Sequence, residues 1–382
     1  MRKRKIAVLG ATGSIGASAL EVLRRNSGIF EPVLFSSHRN EAGLRALKHE
    51  FPRAKTVLTG AERPAGDIDY AGRPGLMQGI SRCGAFMAVN GIAGAAGLEP
   101  SLAVLDAGIH LALANKETMV MAAPLVLSLA RARKRWVIPV DSEHAALFSL
   151  IEAHRKEEVA ELILTASGGP FRNRTKEQLE TVTPEEALRH PTWNMGKKIT
   201  VDSATLANKG LEVIEAAGLF TVDPSRIKVV IHPQSIVHSL IRCKSGSLYA
   251  QLSQPDMRLP IQNALFYPRK GETFLEPLRL EDLNLEFGPA DAGRFPMLGL
   301  AYRAAASGMA AQIGYNAANE AAVQAFLERR IRFADIPRVV AAACAEAVCP
   351  LPGSWGLQAV LDADMKAREL AEQKIALYRP QA

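Results

Sequence analysis

Cysteine, aromatic residues and long apolar runs are all scarce in this chain, and each scarcity closes off a class of protein. Four cysteines in 382 residues (Cys83, Cys243, Cys344 and Cys349) show none of the short paired spacings of a zinc site. So few and so scattered, they read as reduced, mostly packed thiols in the cytosol. Aromatic residues make up 6% of the chain, and no basic stripe is interleaved with Phe or Tyr, which argues against a nucleic-acid surface. The longest apolar stretch, 119–130, is too short to span a bilayer and contains Pro124. The basic cluster Arg2-Lys3-Arg4-Lys5 runs straight into an apolar strand at 6–9, without the longer apolar segment and small-residue cleavage site of a secretory leader. No transit-type segment precedes it either, so the expectation is a cytoplasmic bacterial protein.

What is present is ordinary globular composition, 48% hydrophobic and 22% charged. A chain of 382 residues exceeds one compact core, so two or three domains are expected. Lys and Arg number 46 against 39 acidic residues, a net +7 that suits a site for phosphorylated anions. The first third alternates short apolar strands (6–9, 32–36, 86–90, 110–114, 136–140) with helical patterns at 14–25, 41–50 and 97–107. That rhythm predicts a parallel sheet covered on both faces, with ligands at the carboxyl ends of its strands. Beyond residue 140 come loops rich in Gly, Pro and Ser and alternating strands such as 248–252, then an irregular stretch at 268–294. Helical spacing follows at 316–329, 336–348 and 357–378. The expected fold is therefore α/β: an N-terminal Rossmann-like parallel sheet (1–140), a central α+β domain (141–267), a linker (268–294) and a C-terminal helical bundle (295–382).

The first strand ends in Gly10-Ala11-Thr12-Gly13-Ser14-Ile15-Gly16, which opens the first helix. Glycines at this turn let the backbone approach a pyrophosphate that meets the helix N-terminal N–H groups. Alone the turn is weak evidence; placed at the end of a first strand it points to a dinucleotide. The second strand ends in Ser36-Ser37-His38-Arg39-Asn40, with no acid to hold a ribose 2′-hydroxyl. An Arg with hydroxyl neighbours suits a 2′-phosphate, so NADPH is expected over NADH.

After the fifth strand stands Asp141-Ser142-Glu143, whose carboxylates face the same way on an extended segment. Without a nearby Cys they suit a hard cation such as Mg²⁺ or Mn²⁺. A third carboxylate is available from Glu212 or Glu215, and spacing does not choose between them. Ser167-Gly168-Gly169, Asp202-Ser203-Ala204-Thr205 and Asn208-Lys209 supply the small donors that grip a phosphate, although each Ser taken singly is more often a helix cap. The His190–Gly196 loop, with Pro191 and Trp193, reads either as a movable lid or as a packed loop. His232 and His238 read as structural.

Taken in order, these motifs, together with Ala114-Asn115-Lys116-Glu117, His190-Pro191-Thr192-Trp193-Asn194-Met195-Gly196, His232-Pro233-Gln234-Ser235 and Asn316-Ala317-Ala318-Asn319-Glu320, resemble the 1-deoxy-D-xylulose 5-phosphate reductoisomerase family over essentially the whole chain. The resemblance implies a homodimer using NADPH and a divalent cation. It implies that Thr12, Gly13, Ser14 and Ile15 bind the cofactor pyrophosphate, that His38, Arg39 and Asn40 lie at its adenosine end, and that Asn115, Glu117 and Gly196 also contact it. Asp141, Glu143 and Glu212 would ligate the metal. Lys116, Ser142, Glu143, Ser167, His190, Ser203, Asn208, Lys209 and Glu212 would bind substrate, with Trp193 and Met195 in the lid. Lys116, Glu143, His190 and Lys209 would take part in the chemistry.

Two departures stand out. His38 occupies a position where the family commonly has a small residue, and the stretch between Glu50 and Phe86 looks too short for the usual strand and helix. The competing readings are another two-domain NADP enzyme such as a semialdehyde dehydrogenase, which would need a reactive Cys, and a catalytically silent NADPH sensor, which would not need three metal carboxylates.

Overall fold

The structure is a computed structural model and describes residues 3–193, 195–346 and 356–378. Asn194, Cys349 and the end of the helix expected at 336–348 lie outside them. The chain forms two compact units: Met1–Thr118 with Val126–Ala145 and Asp256–Glu276, and Met119–Leu125 with Ala146–Pro255 and Pro277–Ala382.

In the first unit, β1 (Arg4–Leu9), β2 (Phe30–Ser37), β3 (Lys55–Leu58), β4 (Tyr70–Ala71), β5 (Met87–Asn90), β6 (His110–Leu113) and β7 (Val137–Pro139) build one sheet. Their order is β4-β3-β2-β1-β5-β6-β7, and every pairing is parallel. Parallel strands need crossovers, which here include α1 (Ser14–Arg25), α2 (Glu41–Glu50), α3 (Gly72–Arg82), α4 (Leu98–Asp106) and α5 (Lys116–Arg133); α6 (Ser142–Ala153) follows β7. Helices cover both faces, so β5 and β6 are buried at every residue. α1 shows how the pattern works locally: Gly16, Ala19, Leu20, Val22 and Leu23 form its buried stripe. Strand order reverses between β1 and β5, the switch point where such sheets hold ligands.

The stretch between Glu50 and Phe86 is not too short. It holds β3, β4 and α3, the last with Gly72, Gly75, Gly79 and Pro74 in place of strong helix formers. Gly79 is needed for packing, because a Cβ there would press on Leu34 and Val57 at 3.2 Å. Such short strands and a glycine-rich helix leave almost no periodicity to read.

In the second unit, β8 (Val159–Ala166), β9 (Ile227–Ile231), β10 (Val237–Cys243), β11 (Leu248–Leu252) and β12 (Gly288–Pro289) form a mixed sheet in the order β11-β10-β8-β9-β12. β8 and β9 run parallel and the other neighbours antiparallel. β12 lies inside the irregular 268–294 stretch, whose far end thus closes a sheet edge.

The remaining helices are α7 (Lys176–Leu179), α8 (Pro184–Ala187), α9 (Lys197–Thr205), α10 (Ala207–Phe220), α11 (Arg258–Phe266), α12 (Pro296–Ser307), α13 (Met309–Leu327), α14 (Ile336–Glu346) and α15 (Leu357–Ile375). α11 belongs to the first unit, where Phe266 meets Phe30 edge to face and Arg4 donates to the carbonyls of Leu265, Phe266 and Tyr267. α13 is buried along most of its length and shares one apolar core with α10, α12 and α14. Among the described residues, no helix is long and apolar enough to cross a membrane.

Gly210 lets α10 meet this bundle, since a Cβ there would lie 2.6 Å from Tyr315 Oη and 2.7 Å from Ala301 Cβ. Gly210→Ala is expected to lower stability by about 1–3 kcal/mol through overpacking, read as a lower denaturation midpoint at unchanged m-value.

Candidate active site

The turn after β1 is set by sterics. Gly10 has φ +79°, and a Cβ there would press on the Gly91 carbonyl at 2.9 Å. A Cβ on Gly16 would collide with the backbone of Ala11, so each glycine serves close approach of one backbone to another. Gly10 N donates to Ser36 Oγ, and Thr12 Oγ1 shares a 2.8 Å hydrogen bond with Ser37 Oγ. Gly13 caps α1 without a side chain, while Ser14 and Ile15 form its first turn. This end of β1 is therefore tied to the end of β2.

At that second end Arg39 is exposed, His38 Nδ1 lies 3.1 Å from Thr59 Oγ1, and Asn40 caps α2 by accepting from Gly43 N. Asn115 caps α5 by accepting from Thr118 N, and its amide donates to Ile92 O, Gly94 O and Glu117 Oε2. Both polar ends of that side chain are thus engaged within the protein.

Asp141, Ser142 and Glu143 follow β7, as the parallel-sheet rule expects. Lys116, at the start of α5, places Nζ 2.7 Å from Asp141 Oδ2, and both side chains are almost fully buried. His144, one turn into α6 and wholly buried, lies 3.5 Å from Asp141 Oδ1. Burial alone would raise the Asp141 pKa, but the Lys116 charge and then His144 outweigh it and hold the carboxyl well below the usual range. Ser142 Oγ donates to Glu143 Oε2 at 2.5 Å. His144 carried no assignment in the sequence; its signal was the i,i+3 spacing from Asp141 at a helix start.

In the second unit Ser167, Ser203 and His190 converge. His190 Nδ1 accepts from the backbone N–H groups of Thr192 and Trp193, at 3.1 and 2.9 Å. Burial first and the Arg172 charge second push the imidazole pKa down to about 4. A neutral ring whose Nδ1 accepts must carry its proton on Nε2. Nε2 lies 3.1 Å from both Ser167 Oγ and Ser203 Oγ, so its single proton is shared between the two hydroxyl oxygens. Ser167 Oγ also accepts from Gly169 N at 3.3 Å. With Ser167 Oγ accepting on two sides, its O–H is left to donate, whereas Ser203 Oγ accepts only the shared proton and can still either donate or accept.

Beside them α10 begins with Ala207, whose N–H donates to Thr205 Oγ1 at 3.2 Å, followed by Asn208 and Lys209. Lys209 is buried, 2.5 Å from Glu212 Oε2, while Asn208 Nδ2 donates to Glu212 Oε1 at 2.6 Å. Trp193 and Met195 are half-buried and Gly196 caps α9. Serine hydroxyls, an imidazole, a carboxamide and an ammonium group gathered in this way are the kinds of donor that could hold an anion. Glu212 and Glu215 are equally buried, at 1% exposure each, so burial does not choose between them. Arg172, whose charge acts on His190, had no motif to mark it.

The histidines read as structural are held inside the protein. His232 Nδ1 donates to Glu286 O while its Nε2 accepts from Ile236 N and Val237 N, and His238 Nε2 lies 2.9 Å from Ser253 Oγ.

A glycine turn at the switch point of a doubly wound sheet, with a buried carboxylate after a later strand and a cluster of polar donors in a second unit, fits a dinucleotide-dependent oxidoreductase. Known proteins narrow that class. The model of the 1-deoxy-D-xylulose 5-phosphate reductoisomerase family matches residues 6–123, the model of its C-terminal domain matches 137–220, and that of the DXP reductoisomerase C-terminal domain matches 252–370. The 1-deoxy-D-xylulose 5-phosphate reductoisomerase of Treponema pallidum is 48% identical over 98% of both chains, and that of Treponema denticola 44% identical over the same shares. A crystal structure of DOX-P reductoisomerase in complex with NADPH, fosmidomycin and magnesium superposes with a TM-score of 0.91 at 37% identity, covering 98% of each chain. The Zymomonas mobilis enzyme in complex with NADPH gives 0.89 at 37% identity, covering 98% of this chain and 99% of its own. The chain belongs to the 1-deoxy-D-xylulose 5-phosphate reductoisomerase family.

The His190 geometry has a direct spectroscopic consequence. Its pKa near 4 in the folded chain, against an ordinary 6.5, means the unfolded chain takes up this proton first, so the stability owed to the site falls as pH drops from 6.5 toward 4. In histidine ¹⁵N NMR, His190 is expected to stay an Nε2–H tautomer from about pH 8 to about pH 5; a midpoint at the ordinary value would refute the tautomer argument.

Proposed function

We propose that the chain carries out the reaction for which its family is named, converting 1-deoxy-D-xylulose 5-phosphate into 2-C-methyl-D-erythritol 4-phosphate with NADPH and a divalent cation. The observation that carries the site assignment is the convergence of Ser167 and Ser203 on His190 Nε2, which engages both hydroxyl oxygens as acceptors and leaves their protons available to a phosphate. Within the chain, residues 1–140 serve the cofactor, 141–267 the metal and substrate, 268–294 connect, and 295–382 form the helical end.

The residues fit both bound groups. Thr12, Gly13, Ser14 and Ile15 face the pyrophosphate position at the α1 N-terminus, and Arg39, flanked by His38 and Asn40, offers an exposed guanidinium to a 2′-phosphate. Asn115, Glu117 and Gly196 complete the cofactor contacts. Asp141, Glu143 and Glu212 offer oxygen ligands alone, the donor set of a hard cation. When bound, the cation supplies Lewis acidity toward the substrate's ketone and hydroxyl oxygens, and NADPH supplies the hydride that reduces the rearranged aldehyde.

The remaining work falls to the chain. Ser167, His190, Ser203, Asn208 and Lys209 grip the phosphate, so its binding energy orients the reacting carbons. Lys116, Ser142 and Glu143 hold the hydroxyl end of the substrate. Trp193 and Met195 cover it and exclude water while the carbon–carbon bond breaks and re-forms. The semialdehyde dehydrogenase reading loses ground here: burial raises the pKa of the Cys83 thiol and pushes that of Cys344 up to about 12, away from a reactive thiolate.

A homodimer is supported by β11, an edge strand that exposes Leu248, Tyr249 and Ala250. A bacterial cytoplasm suits the sources of the relatives and the supply of NADPH.

With Mg²⁺ or Mn²⁺ present, NADPH oxidation is expected only when deoxyxylulose phosphate is added; none under those conditions sinks the proposal. Asp141→Asn and Glu212→Gln should each lower turnover by about a thousandfold or more, while NADPH still binds by fluorescence titration. Near-normal turnover in either would remove that residue from the metal site. NADPH should be favoured over NADH by about tenfold or more, and Arg39→Ala should erase that preference. In light scattering, a mass of twice 41.2 kDa is expected, with Leu248→Lys shifting it toward the monomer; a wild-type monomer would refute the dimer.

A further inference from the structure

α9 carries Ser203, and α10 carries Asn208 and Lys209, yet the two helices are joined by Leu206 alone. Leu206 sits at φ 60° in the left-handed region, so no continuous ladder of helical hydrogen bonds fixes the angle at this joint. Contacts from outside must set it. On one side, Gly169 (φ +68°) lies so close to α9 that a Cβ would be 2.6 Å from Ser203 O. On the other side stands α13.

Two residues of α13, four apart and hence on one face, reach the two helices separately. Tyr315 packs at Gly210 of α10 and donates to Met297 O at 3.2 Å. Asn319, fully buried, donates from Nδ2 to Asp202 Oδ1 at 2.8 Å. Asp202 is itself 1% exposed, neighbours Ser203 in α9, and pairs through Oδ2 with Lys198 at 3.0 Å. Apolar side chains would fill this space at lower desolvation cost. What a carboxylate and a carboxamide add is direction, because the bond forms only over a narrow range of α9 rotation.

We infer that Asn319 is a positioning residue for the phosphate cradle: its hydrogen bond to Asp202 sets the rotation of α9 that brings Ser203 Oγ to His190 Nε2. This rests on the proposed reading of Ser167, His190, Ser203, Asn208 and Lys209 as the phosphate site. It gives a purpose to the Asn316–Glu320 segment, which no cofactor or substrate role had claimed.

Inorganic phosphate, used as a competitive inhibitor against deoxyxylulose phosphate, reads the cradle directly in the full-length enzyme. Asn319→Leu is expected to raise the phosphate Ki and the substrate KM together by about tenfold, with the KM for NADPH changed by less than about twofold. The exchange Asp202→Asn with Asn319→Asp keeps one carboxylate and one carboxamide in contact and should return both constants to within about threefold of wild type. A folded Asn319→Leu enzyme with a lower melting temperature but an unchanged phosphate Ki would overturn the inference. So would an exchange variant that folds without recovery, and so would failure of both variants to fold, which would make the pair a folding element alone. Ser203→Ala is the control: if it leaves the phosphate Ki unchanged, the cradle reading itself fails, and that result is distinct from a failure confined to Asn319.

Discussion

A carboxylate withdrawn from water needs a partner or a metal, since its desolvation otherwise outweighs whatever packing it gains. Lysine meets that condition at Asp141, Asp202 and Glu212. Lys116 pairs with Asp141 at 2.7 Å, Lys198 with Asp202 at 3.0 Å and Lys209 with Glu212 at 2.5 Å. Two of these pairs lie within one turn of a helix, three or four residues apart, so the sequence that supplies the acid also supplies its counter-charge. The third joins a helix start to the second residue after β7, two positions that a parallel sheet brings to the same edge. Charge density of this kind is held ready in a dry setting, where each interaction is stronger than it would be in water.

The parts of the fold that were legible in the sequence are those with a local cause. Gly10 and Gly16 each answer a steric demand of one turn, and the strands at 6–9 and 86–90 are apolar because helices cover both their faces. α1 and α2 each carry a buried stripe at helical spacing inside their bounds, Gly16 to Leu23 in α1 and Leu44 and Leu47 in α2. What escaped notice lacks such a cause. β4 has two residues and exists because β3 offers it an edge, while α3 carries three glycines, of which Gly79 serves packing against Leu34 and Val57 rather than helix propensity.

The site divides in the same way. Asp141 and Glu143 were readable because a parallel sheet places its ligands after its strands. Nothing local distinguishes Ser167 or Ser203 from an ordinary cap. The direction of their O–H bonds depends on a histidine 23 residues from one and 13 from the other. Glu212 and Glu215 share one buried face of α10, and only family resemblance separates them. Arg172 and Asn319 act through His190 and Asp202, a kind of influence that leaves no spacing to find.

The backbone N–H groups of Thr192 and Trp193 fix more than a ring orientation. Because they occupy His190 Nδ1, the opposite nitrogen can only give a proton, and Ser167 Oγ, which accepts from that nitrogen and from Gly169 N, keeps only its O–H to offer. A small molecule designed to reach Ser167 Oγ must bring an acceptor to it. An amine or amide N–H directed at that oxygen would find both lone pairs engaged, a condition that goes back to two peptide N–H groups which, in the loop, only proline would remove.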